Sequence, residues 1–434
     1  MALKQNTKQF NFAWEIGNAP RVLAEYRKNA RDTFQRLPYP TRKDETWRRT
    51  SLQPLRMDAL HLPNGKTPEI NQDEISAHCL TIHAEHNKGG QAIIGPKNVS
   101  IELAPNLAEK GVIFTDLNTA AEKHPDLLEK ILGKIISPAE GKFAALTGAF
   151  AKNGVFVYIP ADLQIDQTLH SLLWAAGEGL AHLSHVLIYL EKGASLTYVH
   201  EASSPEGEKA QSLASENVEI YVGQGASLKF VELQALGRNV WSFGHKKAKV
   251  DKDGHIDWVA GGLGSHLAKH FISVDLAAPG AESKISGLYF ADGEQHLSHD
   301  TQQNHLAHHT YSNLLFRGTL TGAGHSVWSG MIYVAPDAHH IDGYQANRNL
   351  LLSEDAHAAS LPGLEILNDE VRCSHGATVG KIDPEQLFYL QARGVPLQEA
   401  ERLIVYGFFD DILRHIPLAD VKERFTQAIH QKLG

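Results

Sequence analysis

Cys373 and His375 are the residues whose types and spacing most clearly suggest chemistry, because a thiol and an imidazole stand two positions apart. On a β-strand, residues two apart point to the same face, so both donors could reach one soft metal or cluster. Thiolate and neutral imidazole are both ligands of iron and of iron–sulfur clusters. The spacing would also suit a packed cysteine beside a hydrogen-bonded histidine. The motif therefore predicts a ligand pair, with a structural pair as the alternative.

The supply of thiols limits what one copy of the chain could hold. Its only cysteines are Cys79 and Cys373, whereas a protein-held iron–sulfur cluster needs about four ligands, mostly cysteine. The missing ligands would come from a second polypeptide or from external sulfide and small thiols. We expect Cys79, which lies in an apolar context, to be a packed residue. Two distant cysteines do not form a secreted disulfide framework, so a reducing compartment is expected.

Many histidines crowd the region from 296 to 357 and could suggest a second metal site. They are His296, His299, His305, His308, His309, His325, His339, His340 and His357. On strands, neighbours such as His339 and His340 face opposite sides, and only a pair such as His305 and His309 could converge if both lay on one regular strand. The chain also lacks a His-Glu-x-x-His pattern. We therefore do not expect a separate catalytic metal centre, although a histidine-rich metal-dependent enzyme remains a rival interpretation.

The composition narrows the possible partners and location. The formal net charge is −9, which disfavours nucleic-acid binding because phosphate neutralisation needs a concentrated basic face. The basic pairs at 42–43, 48–49 and 246–247 are expected to be solvated surface. Residues 1–17 lack an apolar core of signal-peptide length, and no run of about twenty apolar residues occurs elsewhere. We expect a cytoplasmic protein with no membrane partner.

The pattern of apolar and polar residues changes twice along the chain, which predicts three regions: 1–138 with helices, 139–380 rich in strands, and 381–434 helical. Apolar residues recur at helical spacing over 10–35 and 116–136, on either side of a proline-rich loop at 37–40. Short apolar runs at 155–159, 186–190 and 218–222 predict strands.

A weak glycine repeat accompanies these strands. Gly-Ala-Ser-Leu at 193–196 recurs at 225–228, and related turns begin at Gly254, Gly280 and Gly322, at intervals of 26 to 42 residues. These intervals suit a stacked solenoid, and we favour a right-handed parallel β-helix. From the repeat spacing alone, a β-sandwich is an equally good interpretation.

The C-terminal region is predicted to contain three helices. Asp383 and Pro384 are typical of a helix start, and Gly394 of its end. A second helix over 397–415 has a broad apolar face, and a third spans 419–433. The apolar face could dock a partner, or it could pack against the solenoid or the last helix. The candidate docking residues are Leu403, Ile404, Gly407, Phe408, Phe409 and Ile412.

Several segments together resemble one protein family. They are 37–40, 45–50, 345–352, 364–366, 372–381, 387–390 and 393–394. These segments are similar to the SufB/SufD family, and to its SufD branch in particular, whose members assemble iron–sulfur clusters. The resemblance spans most of the chain, and it implies a β-helical core, which decides against the sandwich.

The resemblance also implies a mechanism. It predicts a non-catalytic scaffold that pairs with a SufB-like paralogue, with a site between the two β-helices to which this chain contributes His375 and, as a matched motif residue, Cys373. The C-terminal helices would dock a SufC-like ABC ATPase, which hydrolyses the ATP. A transient iron–sulfur cluster would form only in the complex, no cofactor would stay on the isolated chain, and that chain could form a homodimer. The rival interpretation from the fold alone is a β-helical enzyme acting on polysaccharides.

Overall fold

The computed structural model describes residues 9–14, 17–64, 67, 72–79, 88–416 and 419–433. Three short strands come first: β1 (Lys88–Ile94), β2 (Val99–Leu103) and β3 (Ile113–Asp116). Sixteen further strands follow within these residues: β4 (Asn153–Ile159), β5 (Thr168–Trp174), β6 (Ala181–Leu190), β7 (Ser195–Ser203), β8 (Ser212–Val222), β9 (Ser227–Ala235), β10 (Val240–Val250), β11 (His255–Gly262), β12 (Leu267–Leu276), β13 (Glu282–Ala291), β14 (His296–His305), β15 (Tyr311–Leu320), β16 (His325–Val334), β17 (Ile341–Leu351), β18 (His357–Ile366) and β19 (Val371–Lys381).

The helices lie before and after this run of strands. The N-terminal helices are α1 (Arg21–Arg36), α2 (Gln72–His78), α3 (Pro105–Ala108), α4 (Leu117–Lys123), α5 (Pro125–Ile131) and α6 (Lys142–Phe150), and the C-terminal ones are α7 (Pro384–Ala392), α8 (Leu397–Leu413) and α9 (Ala419–Leu433). Short 3-10 helices lie at Glu45–Trp47, Met57–Ala59 and Pro138–Glu140. None of the helices in the described part of the chain is long and apolar enough to cross a membrane.

The strands form a two-sheet parallel solenoid of about eight coils. Sheet A has the order β19-β17-β15-β13-β11-β9-β7-β5-β1-β2, and sheet B has the order β18-β16-β14-β12-β10-β8-β6-β4-β3. Every coil from β4 onward gives one strand to each sheet, and these strands pair in parallel with those of the next coil. The predicted parallel β-helical core is therefore confirmed, and the sandwich interpretation was wrong.

Glycine and histidine shape the turns that join the two strands of a coil. Gly193, Gly225 and Gly280 have φ values of 67°, 63° and 75°, a region in which a side chain is unfavourable. The corresponding turns of later coils use His309 and His340 instead, with φ of 55° and 57°. The glycine repeat thus marks real turns, but the turn position does not strictly require glycine, because histidine is among the residues that tolerate this region best.

The N-terminal elements close the first end of the solenoid and cover the outer face of sheet B. The strand β2 pairs antiparallel with β1, and β3 pairs antiparallel with β4, so both sheets end in a turned-back strand. On the outer face, the Phe143 ring stacks on both Trp47 and Phe243, at centroid distances of 5.6 and 3.7 Å. Because this face is covered, nearly every residue of β8 is buried.

A buried carboxylate fixes this cover to the sheet. Glu219 on β8 accepts backbone N–H groups of Gly133, Ile135 and Ile136 at 2.7 to 2.9 Å, and His185 Nε2 lies 2.8 Å from it. A buried carboxylate needs several donors to offset its lost hydration. The segment after α5 is therefore held by directional bonds as well as by apolar packing.

One expectation about surface charge was wrong. Lys246 was predicted to be solvated, but it is buried and its Nζ lies 2.5 Å from Glu232 Oε1. The two residues are on opposite sheets, β10 and β9, and meet inside the solenoid. A buried lysine is tolerated because this carboxylate compensates its charge.

The helices α8 and α9 cover the outer face of sheet A. Phe409, Ile412 and Phe425 pack with Leu233 and Phe290 of the sheet in one apolar cluster. The helix bounds agree with the three helices predicted from the sequence, and Asp383 caps α7 by accepting the N–H of Glu385 at 2.9 Å.

Candidate functional site

The strand β19 places Cys373 and His375 on the same face. It pairs with β17 in unbroken register, with Cys373 beside Gly343 and His375 beside Gln345. Gln345 points into the solenoid, since its side-chain amide donates to the carbonyl of Gly363 on the opposite sheet at 2.7 Å. His375 extends the same row and so lies on the axial face. The prediction that the two donors share a strand face is confirmed.

The coil that carries them is the last one and is open. None of the residues of β18 or β19 is buried, whereas alternate residues of β16, one coil earlier, are. In sheet A, β19 is the terminal strand and pairs with β17 alone. His375 is exposed, because no further coil among the described residues covers the row to which it belongs. The imidazole is therefore accessible to a second molecule.

Cys373 lies deeper than His375. It is half-buried against an apolar cluster that includes Ile332, Val334 and Ile341. Burial raises the pKa of the Cys373 thiol, Asp342 raises it further, and a hydrogen bond from the Gly343 backbone partly opposes the rise. A Cβ at Gly343 would lie only 3.2 Å from the Cys373 sulfur, so the glycine leaves room for it. A thiol of this kind stays protonated at neutral pH until a cation displaces its proton.

The other histidines discussed above do not form a second metal site. His305 ends β14 and lies 2.8 Å from both Thr310 and Ser312, while His309 is in the following turn, so the two do not share a strand. His339 and His340 are also in a turn, and both approach Glu370, at 3.4 and 3.6 Å. The expectation that they face opposite sides of a strand was therefore wrong. Within the described ranges, no three His, Cys, Asp or Glu side chains form a group that could hold a metal ion.

Cys79 has the structural role expected for it. It is buried and packs with Ile75, Ile93, Leu172 and Trp174 at the first end of the solenoid. The two thiols of the chain thus lie at opposite ends of the solenoid, and the open end has only Cys373.

The candidate docking residues on α8 divide between two faces. Phe409 and Ile412 are buried against sheet A, so the packing alternative holds for them. Leu403 is 47% exposed, Gly407 is exposed with nothing within 4 Å of its would-be Cβ, and Ile404 and Phe408 are partly buried. No described element approaches Gly407 closely, so close packing within the chain does not explain a glycine in the middle of this helix.

Three exposed apolar residues next to these were missed from the sequence. Phe388 and Tyr389 on α7 are 72% and 57% exposed, and Leu397 at the start of α8 is also exposed. None of the residues of α7 is buried, which is unusual for a helix that carries two adjacent aromatic residues. That aromatic pair in a short helix was the available signal. We call Phe388, Tyr389, Leu397, Leu403 and Gly407 the helical surface.

Comparison with known proteins agrees with this geometry. Residues 173–408 match the family "SUF system FeS cluster assembly, SufBD core domain", and residues 16–170 match "SufBD protein N-terminal region". The iron–sulfur cluster assembly protein SufD of Bacillus subtilis (strain 168) is 30% identical over 77% of this chain and 76% of its own. An iron–sulfur cluster assembly SufBD family protein of Staphylococcus aureus (strain USA300) is 29% identical over 72% of this chain and 67% of its own. The resemblance inferred from the motifs is confirmed: the chain belongs to the SufBD family of iron–sulfur cluster assembly proteins.

Proposed function

We propose that this chain is a non-catalytic scaffold subunit that offers His375, and Cys373 behind it, to a nascent iron–sulfur cluster at a seam with a SufB-like paralogue. The observation that carries the proposal is the open last coil, whose axial face presents both donors. One imidazole and one thiol cannot hold a cluster alone. A second chain seated on the open end would bury the exposed strands and bring the missing thiolates. The cluster is cargo of the complex, and the isolated chain keeps no cofactor.

The two donors differ in how accessible they are to a metal, which suggests the order in which they bind it. His375 is exposed and can bind a metal without any rearrangement. The Cys373 thiol is half-buried with a raised pKa, so it becomes a ligand only when a cation favours the thiolate. We therefore assign His375 as the primary ligand and Cys373 as a secondary one.

The scaffold proposal is tested by cluster yield in the assembled complex. This chain is coexpressed anaerobically with the SufB-like and SufC-like chains of its organism, and iron and acid-labile sulfide are measured per purified complex. His375→Ala should abolish cluster build-up, and Cys373→Ser should lower it less. His357→Ala, which removes an exposed histidine from the neighbouring strand of the same coil, is the matched control and should leave the yield unchanged. A normal yield with His375→Ala would refute the ligand role.

We further propose that the helical surface docks a SufC-like ABC ATPase, which supplies the ATP hydrolysis. A surface with two exposed aromatic residues and two exposed leucines is larger than scattered apolar residues explain. Aromatic side chains are also the usual anchors of protein interfaces. Phe388→Asp and Leu403→Asp should each weaken ATPase binding at least about tenfold, since both would place a charge in an apolar contact. Leu306→Asp, at an exposed leucine outside the helical surface, should not weaken it.

A further inference from the structure

Arg317 joins the helical surface to the sheet that ends at the open coil. It lies on the outer face of β15, and its side chain is only 9% exposed. Its guanidinium donates to the backbone carbonyl of Phe408 and, at 2.5 Å, to the carboxylate of Asp411, both on α8. The guanidinium also lies 5.4 Å from the centroid of the Phe408 ring. Phe408 directly follows Gly407 of the helical surface. One buried cation thus contacts α8 at three points beside the docking residues.

The register of sheet A leads from Arg317 to the site. Arg317 is paired with Arg348 on β17, and Arg348 with Thr378 on β19. Adjacent strands lie about 4.8 Å apart, so two strand spacings separate Arg317 from the strand that carries His375. Arg348 is exposed and, being a cation, cannot compensate the charge of Arg317. Among the described residues, the carboxylate that compensates this charge is that of Asp411 on α8. The position of β15 is therefore tied to that of α8.

The kind of contact matters as much as its place. The apolar cluster beneath α8 is non-directional, so a helix can slide over it at little cost. Hydrogen bonds weaken steeply when their geometry is lost, and a buried arginine separated from its carboxylate would remain uncompensated. A shift of α8 along the sheet would break the Arg317 contacts unless β15 moved with it.

Two other polar contacts between the C-terminal region and the solenoid differ in position. Lys432 at the end of α9 bonds to Asp292 and to Gln295, the latter at 2.9 Å, in the turn after β13. Lys284 on β13 lies 3.1 Å from His415 Nε2, a contact between two basic groups. Of these three contacts, that of Arg317 is on the strand nearest the open end, and it is made to the helix that carries Leu403 and Gly407.

We propose that Arg317 is a positioning residue that transmits movement of the docked ATPase from α8 to the strands at the seam. The inference rests on the proposed function, in which the ATPase binds the helical surface. It concerns coupling and not binding: Arg317 reaches α8 from the sheet, whereas Leu403 and Gly407 of the helical surface are exposed.

The test separates coupling from docking. The complex with the SufB-like paralogue and SufC-like ATPase of the same organism is analysed by hydrogen–deuterium exchange, with and without MgATP, in peptides covering 371–381. Arg317→Met should keep the ATPase affinity within about twofold, while the ATP-dependent change in exchange becomes at least about fivefold smaller. Lys432→Met removes a comparable clamp on α9 and should leave that change intact.

A second variant controls for misfolding of Arg317→Met. Asp411→Asn removes the same ion pair from the 60% exposed partner and should lose the ATP-dependent change as Arg317→Met does. An unaltered response in Asp411→Asn and Arg317→Met, or loss of ATPase binding in both, would overturn the coupling role. If the unmodified chain failed to bind the ATPase at all, the proposed function itself would fall, and this result is distinct from both.

Discussion

The two ends of the solenoid are built in opposite ways. At the first end, β2 and β3 fold back antiparallel, and Leu107, Val112 and Phe114 are buried against the first coil. At the last end, no element in the described ranges covers β18 and β19 in this way, and none of the residues of these two strands is buried. Sheet edges are normally protected against unwanted pairing. The contrast teaches that the chain completes its own core at one end and leaves the other exposed, which supports the proposed seam with a partner.

The largest expected effect tests the closed end. Phe114→Ala, which empties a buried site on β3 beside Tyr198, should lower the free energy of unfolding by about 3–5 kcal/mol, as is usual for a buried phenylalanine. Denaturant unfolding of the isolated chain measures it. A loss below about 1 kcal/mol would mean that the first end is not closed as described.

The second prediction uses the buried histidines between the two ends. Burial is the largest cause that lowers the pKa of His182, His245, His296 and His305 to about 4, and that of His170 and His299 to about 3. Between pH 6.5 and about 4, the unfolded chain therefore binds protons that the folded chain does not. Stability is fully present above pH 6.5 and falls as the pH is lowered, by up to about 1.4 kcal/mol per pH unit for each histidine.

Single substitutions locate this effect. His299→Met should flatten the acid limb of the stability–pH curve by about 1 kcal/mol per pH unit, measured by urea unfolding at several pH values. His357→Gln, at the open end, should leave the slope as it is, because His357 is exposed. Equal slopes for both variants and the unmodified chain would contradict the assignment of buried, neutral histidines.

A third prediction concerns the seam. Val379 lies on the axial face of β19 and is 46% exposed, so Val379→Lys would force an ammonium group into the contact with the paralogue. The affinity of the variant for the paralogue, measured by calorimetry, should fall at least about tenfold, which corresponds to about 1.4 kcal/mol. Leu306→Lys, at a similarly exposed leucine in the turn after β14, should bind normally. Unchanged affinity for Val379→Lys would exclude this face from the seam.

The smallest effect is that on the stability of the isolated chain when His375, the candidate ligand, is replaced. His375→Ala should change the unfolding free energy of the isolated chain by no more than about 0.5 kcal/mol, since exposed side chains contribute little. Thermal and denaturant unfolding would both report this. A larger loss would indicate that the imidazole packs within its own chain and is not reserved for a partner.

Sequence patterns predicted the local elements well. The strands around 155–159, 186–190 and 218–222 were recognisable because both their faces are buried, which yields apolar runs that only Glu219 interrupts. The shared face of Cys373 and His375 followed from the period of a strand. Helix α7 was recognisable from its cap. In each case the determining residues are neighbours in sequence.

What the sequence did not reveal depends on distant partners. The burial of Lys246 requires Glu232 on the opposite sheet, and a pair of lysines gives no sign of that. His339 and His340 resembled strand residues, but the ends of β16 and β17 place them in a turn. Nor does the sequence of β18 or β19 indicate that no further coil follows. The openness of the site is a property of the assembled solenoid, not of its motif.

The uncovered edge of β19 has a cost for a cell that makes this protein. A strand with one free side can recruit any other free strand, including that of an identical copy, and repeated recruitment leads to precipitation. Orphan copies would therefore be hazardous. If the proposed paralogue seals this edge, synthesis matched to that of the paralogue would keep their number low.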